Sequence, residues 1–206
     1  MLKIWGRLNS VNVQKVVWCA DELGLAYARI DAGREHGVVG TPEYRAMNPN
    51  GLIPVIEDDG FVLWESNAIV RYLAAKHGLG TLCPADPAAR ADADRWMDWQ
   101  ATALNPAIGR AFVQLVRTAP ADRNAAEVEA GRVAAEQKLA LLDAHLATRD
   151  YLGGAAFTMA DIPAGCSVDR WSKLPIERTP RPNVERWLAR LRSRAGMRQV
   201  ADLAIS

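Results

Sequence analysis

The stretch Asn48–His77 constrains the fold of this chain more than any other. It opens with Asn48-Pro49-Asn50-Gly51. The apolar run Leu52-Ile53-Pro54-Val55-Ile56 is then divided from Phe61-Val62-Leu63-Trp64 by an acidic turn, Glu57-Asp58-Asp59-Gly60. Two short apolar runs around a Gly-closed turn predict an antiparallel hairpin. Pro54 has no N–H to give to a ladder, so its strand either lies at an edge or begins there. Glu65-Ser66 follows at once. Ser66 is expected to cap a helix with Ala68, Ile69, Tyr72 and Leu73 on its apolar face, ended by Gly78.

Such a unit suits one kind of ligand. An edge at Ile53-Pro54-Val55 offers main-chain groups to an extended peptide, which adds as a further strand. The helix start at Ser66 offers free N–H groups and a positive dipole end to a carboxylate. Glu65 beside it is placed to pair with an amine. A short peptide carrying a carboxylate and an amino group at one end satisfies all three. The patterns Asn-Pro-x-Gly-x-Ile-Pro-Val from Asn48 and Glu-Ser-x-Ala-Ile-x-x-Tyr-Leu from Glu65 resemble the glutathione site of soluble glutathione transferases. That resemblance implies that Ile53, Pro54, Val55, Glu65 and Ser66 hold glutathione, the co-substrate. It also implies a cis bond before Pro54, which would turn the Val55 N–H and C=O toward the peptide.

The rest of the chain reads consistently with this. Leu2–Trp5 alternates as a strand. Val13, Val16, Val17, Ala20 and Leu23 recur at helical spacing up to Gly24, and Leu25–Ile30 is a second strand. Strand–helix–strand over about thirty residues implies a parallel crossover. After the Gly33–Gly40 loop, Thr41-Pro42-Glu43 caps a short helix ending before Pro49. The order βαβ-α-ββα is that of an α/β thioredoxin-like domain over residues 1–80, as the resemblance also implies. Thr81–Pro87 is a linker. Residues 87–206 are expected to form an all-α helical bundle lining the electrophile pocket, with Pro106 kinking its first long helix and a second running from about Asp122 to Ala147. Asn183–Arg194 reads as a further helix, and the last residues as one more.

Composition excludes several classes. The 206 residues carry 25 Lys and Arg against 24 Asp and Glu, a net charge of +1, so nothing points to nucleic acid or an anionic membrane. No apolar run approaches a membrane span, and the first residues lack a signal-peptide core. The three cysteines are scattered, which fits reduced thiols in a cytoplasmic protein, and the three histidines are equally dispersed. No metal site arises from local ligands.

In Phe157-Thr158-Met159-Ala160-Asp161-Ile162, Thr158 and Asp161 match a capping box, with Phe157 and Ile162 at the staple positions. Asp161 is therefore read as structural. Pro163 conflicts with a helix interior there.

Glutathione conjugation needs a thiolate. A thiol has a pKa of about 8.5, and lowering it by roughly 2 units is worth about 2.7 kcal/mol. A hydroxyl or N–H aimed at the sulfur from a helix N-terminus supplies this. The loop Leu8-Asn9-Ser10-Val11-Asn12-Val13 precedes the first helix and holds no tyrosine. Ser10 aligns with the serine of theta- and delta-like classes. Ser10-Val11-Asn12 is similar to the Thr-Pro-Asn of the bacterial nu-like class. Ser10 and Asn12 are thus the catalytic residues implied, against the alternative that Ser10 only caps the helix. Cys19, a turn further on, is read as core.

The resemblance departs at Leu52, where relatives carry a basic residue reaching the glycine end of glutathione. Arg34 or His36 stands as the substitute. Trp99-Gln100 resembles a pair that faces the partner subunit's site in some classes, and the electrophile pocket is assigned to Ile108, Phe112 and Trp171. Three functions are carried forward: a homodimeric transferase acting on a small hydrophobic electrophile, a glutathione-dependent disulfide reductase or peroxidase, and a non-catalytic binding protein.

Overall fold

The structure, a computed structural model, describes all 206 residues. The first half contains β1 (Leu2–Trp5), α1 (Val11–Glu22), β2 (Tyr27–Ile30), α2 (Pro42–Met47), β3 (Val55–Asp58), β4 (Phe61–Trp64) and α3 (Ser66–His77). The sheet order is β2-β1-β3-β4. β1 and β2 run parallel, while β1–β3 and β3–β4 are antiparallel. The hairpin forms as expected, with Val55 opposite Trp64 and Asp58 opposite Phe61. Its first strand is interior, because Val55 also lies opposite Trp5. Of the two places open to Pro54, the structure takes the second: the proline precedes the strand, and the Ile53–Pro54 bond is cis.

α1 and α3 pack together, and their apolar faces meet the inner face of the sheet through Ile4, Ile56, Val16 and Ile69, all fully buried. Behind the sheet, Ala32, Tyr44 and Val55 form a smaller cluster that seats α2. Thr41 caps α2 through Tyr44 N–H at 3.2 Å.

The second half is all helical. α4 (Pro87–Trp99) is capped by Asp86. It passes through a π turn at Gln100–Leu104 into α5 (Asn105–Phe112), and a second π turn at Val113–Arg117 ends this rod. The kink expected at Pro106 therefore takes the form of a widened turn ahead of it. The ring has no N–H and crowds the carbonyl four residues back, and a π turn relieves both. There follow α6 (Ala125–Leu146), α7 (Asp161–Ser172), α8 (Pro182–Arg192) and α9 (Ala195–Ala201).

α7 is the axis of this half, with every residue from Asp161 to Asp169 buried. Of the capping box expected at its start only the carboxylate half forms, since the Thr158 hydroxyl faces Ala160 N–H at 3.4 Å. Asp161 Oδ2 accepts from Thr158 N–H at 3.0 Å, and Oδ1 accepts from Leu152 N–H and the Trp187 indole, each at 2.9 Å. The helix proper begins at Asp161, so Pro163 lies in the first turn, where an N–H has no internal partner. The conflict read from the sequence is thereby removed. One apolar core runs from Leu2 and Ile4 through α1 to α7, joining the two halves across Trp18, which is fully buried and stacked on Phe157 at 5.7 Å.

Candidate functional site

Gly6 follows β1, and its φ of +146° and Cβ position, 2.4 Å from Val13 Cγ2, admit only glycine. The chain can therefore turn closely over α1. Its next residues are tied to the strand beyond by Arg7 N–H to Ala32 O at 3.1 Å. Opposite, the Asn48 turn is held from inside: Asn48 is 2% exposed, its Nδ2 donates to Leu52 O at 2.8 Å, and Tyr44 Oη donates to the same carbonyl at 2.9 Å. This is what sets Ile53 in place.

Between these two loops lies a cleft of about 390 Å³, lined by Arg7, Ser10, Asn12, Gly33, Arg34, Val39, Gly51, Leu52, Ile53 and Arg117. Ser10 has the extended backbone of an N-cap, φ −81° and ψ 122°, yet its hydroxyl makes no capping bond. The hydroxyl and the Asn12 amide engage no protein partner. A free hydroxyl, an amide and the unpaired N–H groups of a helix start thus share one wall. Such a wall stabilises an anion.

At α3 the cap lies one residue earlier than expected. Ser66 is the first helical residue and Glu65 the N-cap, with φ +72°. A non-glycine residue there costs on the order of 1–3 kcal/mol, a strain found where surrounding structure requires it for a site. Glu65 is exposed while Ser66 is 5% exposed. Beneath Ser66 lies Lys15, 3% exposed, with Nζ 3.4 Å from Ser66 Oγ, 3.2 Å from Asn67 Oδ1 and 3.3 Å from Gln100 Oε1. Burial, above all, lowers its pKa to about 8.

Two family models match the chain: the N-terminal domain of glutathione S-transferase over residues 9–76 and its C-terminal domain over residues 125–190. The glutathione S-transferase GstB of Escherichia coli K12 is 42% identical over 208 residues, covering all of both chains. The chain belongs to the glutathione S-transferase family. Among solved structures, the theta class transferase of Xanthomonas axonopodis pv. citri with glutathione bound is 45% identical. It superposes with a TM-score of 0.95 over 100% of this chain and 99% of that one. A transferase of Phanerochaete chrysosporium in complex with oxidized glutathione is 26% identical, with a TM-score of 0.87 and coverage of 97% and 94%.

In this glutathione S-transferase, the structure gathers Ser10, Asn12 and Ile53 into one cleft, and Pro54 and Val55 are buried directly behind it. Other residues fall elsewhere. His36 is exposed, 3.4 Å from Glu35, and is not among the cleft residues; Arg34 is. Gln100 is fully buried within the chain, where it bonds Asn67 and Ser167 as well as Lys15. Ile108 and Phe112, 0% and 1% exposed, belong to the core between α5 and its neighbours. Trp171 lines a separate cavity with Leu139 and Val184. Ile108, Phe112 and Trp171 are all part of the buried core. Cys19 and Cys166 are buried thiols whose pKa burial pushes up, Cys166 to about 12, so neither acts as a nucleophile.

Sequence reading missed Arg7, Arg117 and Lys15. Arg7 and Arg117 are 110 positions apart, and no local signal joins them. Lys15 sits on the buried face of α1, where its neighbours Val13, Val16 and Val17 gave the only hint.

Proposed function

We propose that this cleft binds glutathione and holds its thiol as a thiolate for attack on a small electrophile. The observation that carries this is the Ser10 hydroxyl at the start of α1, which is exempt from capping and open to the cleft. A sulfur placed there meets a hydroxyl donor and the positive end of α1 together. The γ-glutamyl end lies at Glu65-Ser66, the cysteinyl main chain runs along Ile53-Pro54-Val55, and Arg34 receives the glycyl carboxylate in place of the basic residue absent at Leu52. The test is turnover of a chloronitrobenzene-type electrophile by purified protein with glutathione. No acceleration over the uncatalysed reaction would rule the reading out.

A second reading, reduction of a small disulfide, is favoured by Asn12, which shares the same wall and is equally free of protein partners. Glutathione-dependent turnover of such a disulfide separates the two. Glutathione retained without either turnover would favour a binding protein.

The working unit is a homodimer. Trp96 and Trp99, ring centroids 5.2 Å apart, line a shallow open hollow with Arg95, Leu141 and His145, and Leu141 is 50% exposed. A second copy covers an aromatic surface of this kind. Sedimentation as a monomer at micromolar concentration would contradict it. No helix is long and apolar enough to cross a membrane. The three cysteines are unpaired, which supports a cytoplasmic setting.

A further inference from the structure

We propose that the electrophile of this enzyme is a small anion, a carboxylate-bearing molecule whose charge is held by Arg7 and Arg117 while its reacting carbon faces the glutathione sulfur. This rests on the transferase reading and names its substrate class. The cleft is lined by three guanidinium groups and no carboxylate; its apolar lining is only Val39, Leu52 and Ile53. That is a poor surface for a neutral apolar molecule.

The arginines of the cleft have no side-chain carboxylate as a partner, in contrast to several others. Arg71, Arg192 and Arg194 each pair with Asp or Glu. Arg7 bonds only neutral groups, Asn9 Oδ1 at 2.7 Å and Ser206 Oγ at 2.5 Å, and Arg117 reaches Ser206 O at 3.4 Å. The two are thus joined through Ser206, beside the turn that carries Ser10. Arg7 is 5% exposed and its buried Nε has no partner. Behind them, Arg170 and Arg117 both lie over the Phe112 ring, at 4.6 and 4.9 Å. Burial and the neighbouring Arg34 and Arg117, opposed in part by Glu35, hold Arg7 below the usual guanidinium range, and burial and Arg34 do the same to Arg117. An entering carboxylate relieves that repulsion and offers the paired acceptor oxygens that suit a guanidinium. With Arg34 assigned to the glycyl end of glutathione, Arg7 and Arg117 remain for the second substrate.

For a haloacetate the step balances simply. The thiol proton has passed to solvent on binding. The thiolate sulfur attacks the methylene carbon, the S–C bond forms as the carbon–halogen bond breaks, and halide leaves with the bonding pair.

The experiment compares kcat/KM for iodoacetate and iodoacetamide, each divided by its uncatalysed rate with glutathione at the same pH. The pair differs in charge with nearly the same shape. The normalised ratio should favour iodoacetate by about tenfold or more, the scale of one charge-assisted hydrogen bond. Arg117→Gln should lower that ratio by a similar factor and Arg117→Lys should keep most of it; position 117 is exposed, so both variants should fold. A wild-type ratio at or below one overturns the proposal, and iodoacetamide turnover in that case leaves the transferase reading standing. A ratio unchanged in Arg117→Gln also overturns it, and a raised glutathione KM in that variant would assign Arg117 to glutathione instead. Acceleration of neither reagent defeats both readings.

Discussion

Lys15 Nζ and Gln100 Oε1 lie 3.3 Å apart across the boundary between the sheet-bearing and helical halves, and no carboxylate pairs with that buried ammonium. Gln100 Nε2 in turn donates to Ser167 Oγ at 2.8 Å, and Asn67 Nδ2 donates to Met97 O at 2.8 Å. α1, α3, the π turn after α4, and α7 are therefore joined by one polar cluster built around a single uncompensated charge.

The charge makes stability depend on pH. Burial lowers the Lys15 pKa from 10.5 to about 8. Between those values the unfolded chain binds the proton and the folded chain does not, so stability should rise from pH 8 toward pH 10.5. The Lys15→Met variant should lose this rise. At pH 7 it should gain up to about 3 kcal/mol, less whatever the three hydrogen bonds contribute. Urea unfolding of both proteins at pH 7, 8 and 10 checks it. A variant with the same slope as wild type would show that the ammonium is solvated.

Asp161 acts in the opposite pH range. Burial, offset in part by hydrogen bonds from Leu152, Thr158 and Trp187, raises its pKa from 3.8 to about 6. Between these values the folded chain holds the proton and the unfolded chain does not, so this group's contribution is full below pH 3.8 and is lost as pH rises through 6. Asp161→Asn should flatten that part of the profile. It should also weaken the fold by about 1–3 kcal/mol near neutrality, because an amide nitrogen replaces one acceptor facing an N–H donor. Thermal unfolding from pH 4 to pH 7 is the measurement.

Gly131 decides how closely α5 and α6 approach. A Cβ there would lie 2.5 Å from Ala111 N and 3.0 Å from Ala111 Cβ, with backbone that cannot yield locally. Gly131→Ala should destabilise by about 1–3 kcal/mol, although alanine is the better helix former. Gly109→Ala, with nothing within 4 Å, is the control and should stabilise by up to about 1 kcal/mol. Equal effects at the two positions would contradict the packing argument.

Ser10→Ala removes the free hydroxyl from the cleft wall. The bound glutathione thiol should titrate at higher pH, while glutathione affinity changes little. Thiolate absorbance of the complex against pH, for wild type, Ser10→Ala and Asn12→Ala, reads this directly. A shift confined to the asparagine variant would move the role to Asn12 and favour disulfide reduction. No shift in either would leave the α1 N–H groups as the source of stabilisation.

The fold was legible wherever neighbours in sequence are neighbours in space. The hairpin, the Thr41 and Asp86 caps and the Thr158–Asp161 capping bond each depend on a few adjacent residues whose chemistry has one local solution. Strand placement was legible only in part: Pro54 allowed an edge or a beginning, and the choice depended on β1 pairing with β3 across fifty residues. The stretch proposed to bind glutathione could be picked out because its parts are consecutive. That Gln100, Ile108, Phe112 and Trp171 lie in the packed interior was not legible, because a helical position does not say which neighbour it will meet.

The sequence by itself determined the order of elements, the βαβ-α-ββα half followed by helices, and the entry into α1 that carries Ser10 and Asn12. Tertiary structure alone decided that the Ser10 hydroxyl is spared from capping, that Lys15 is enclosed without a carboxylate, and that Arg7, Arg34 and Arg117 converge on one cleft. The physical reason is the range of the forces. Backbone preferences and capping bonds act over three or four residues, whereas burial and charge repulsion act between groups that only the packed chain brings together.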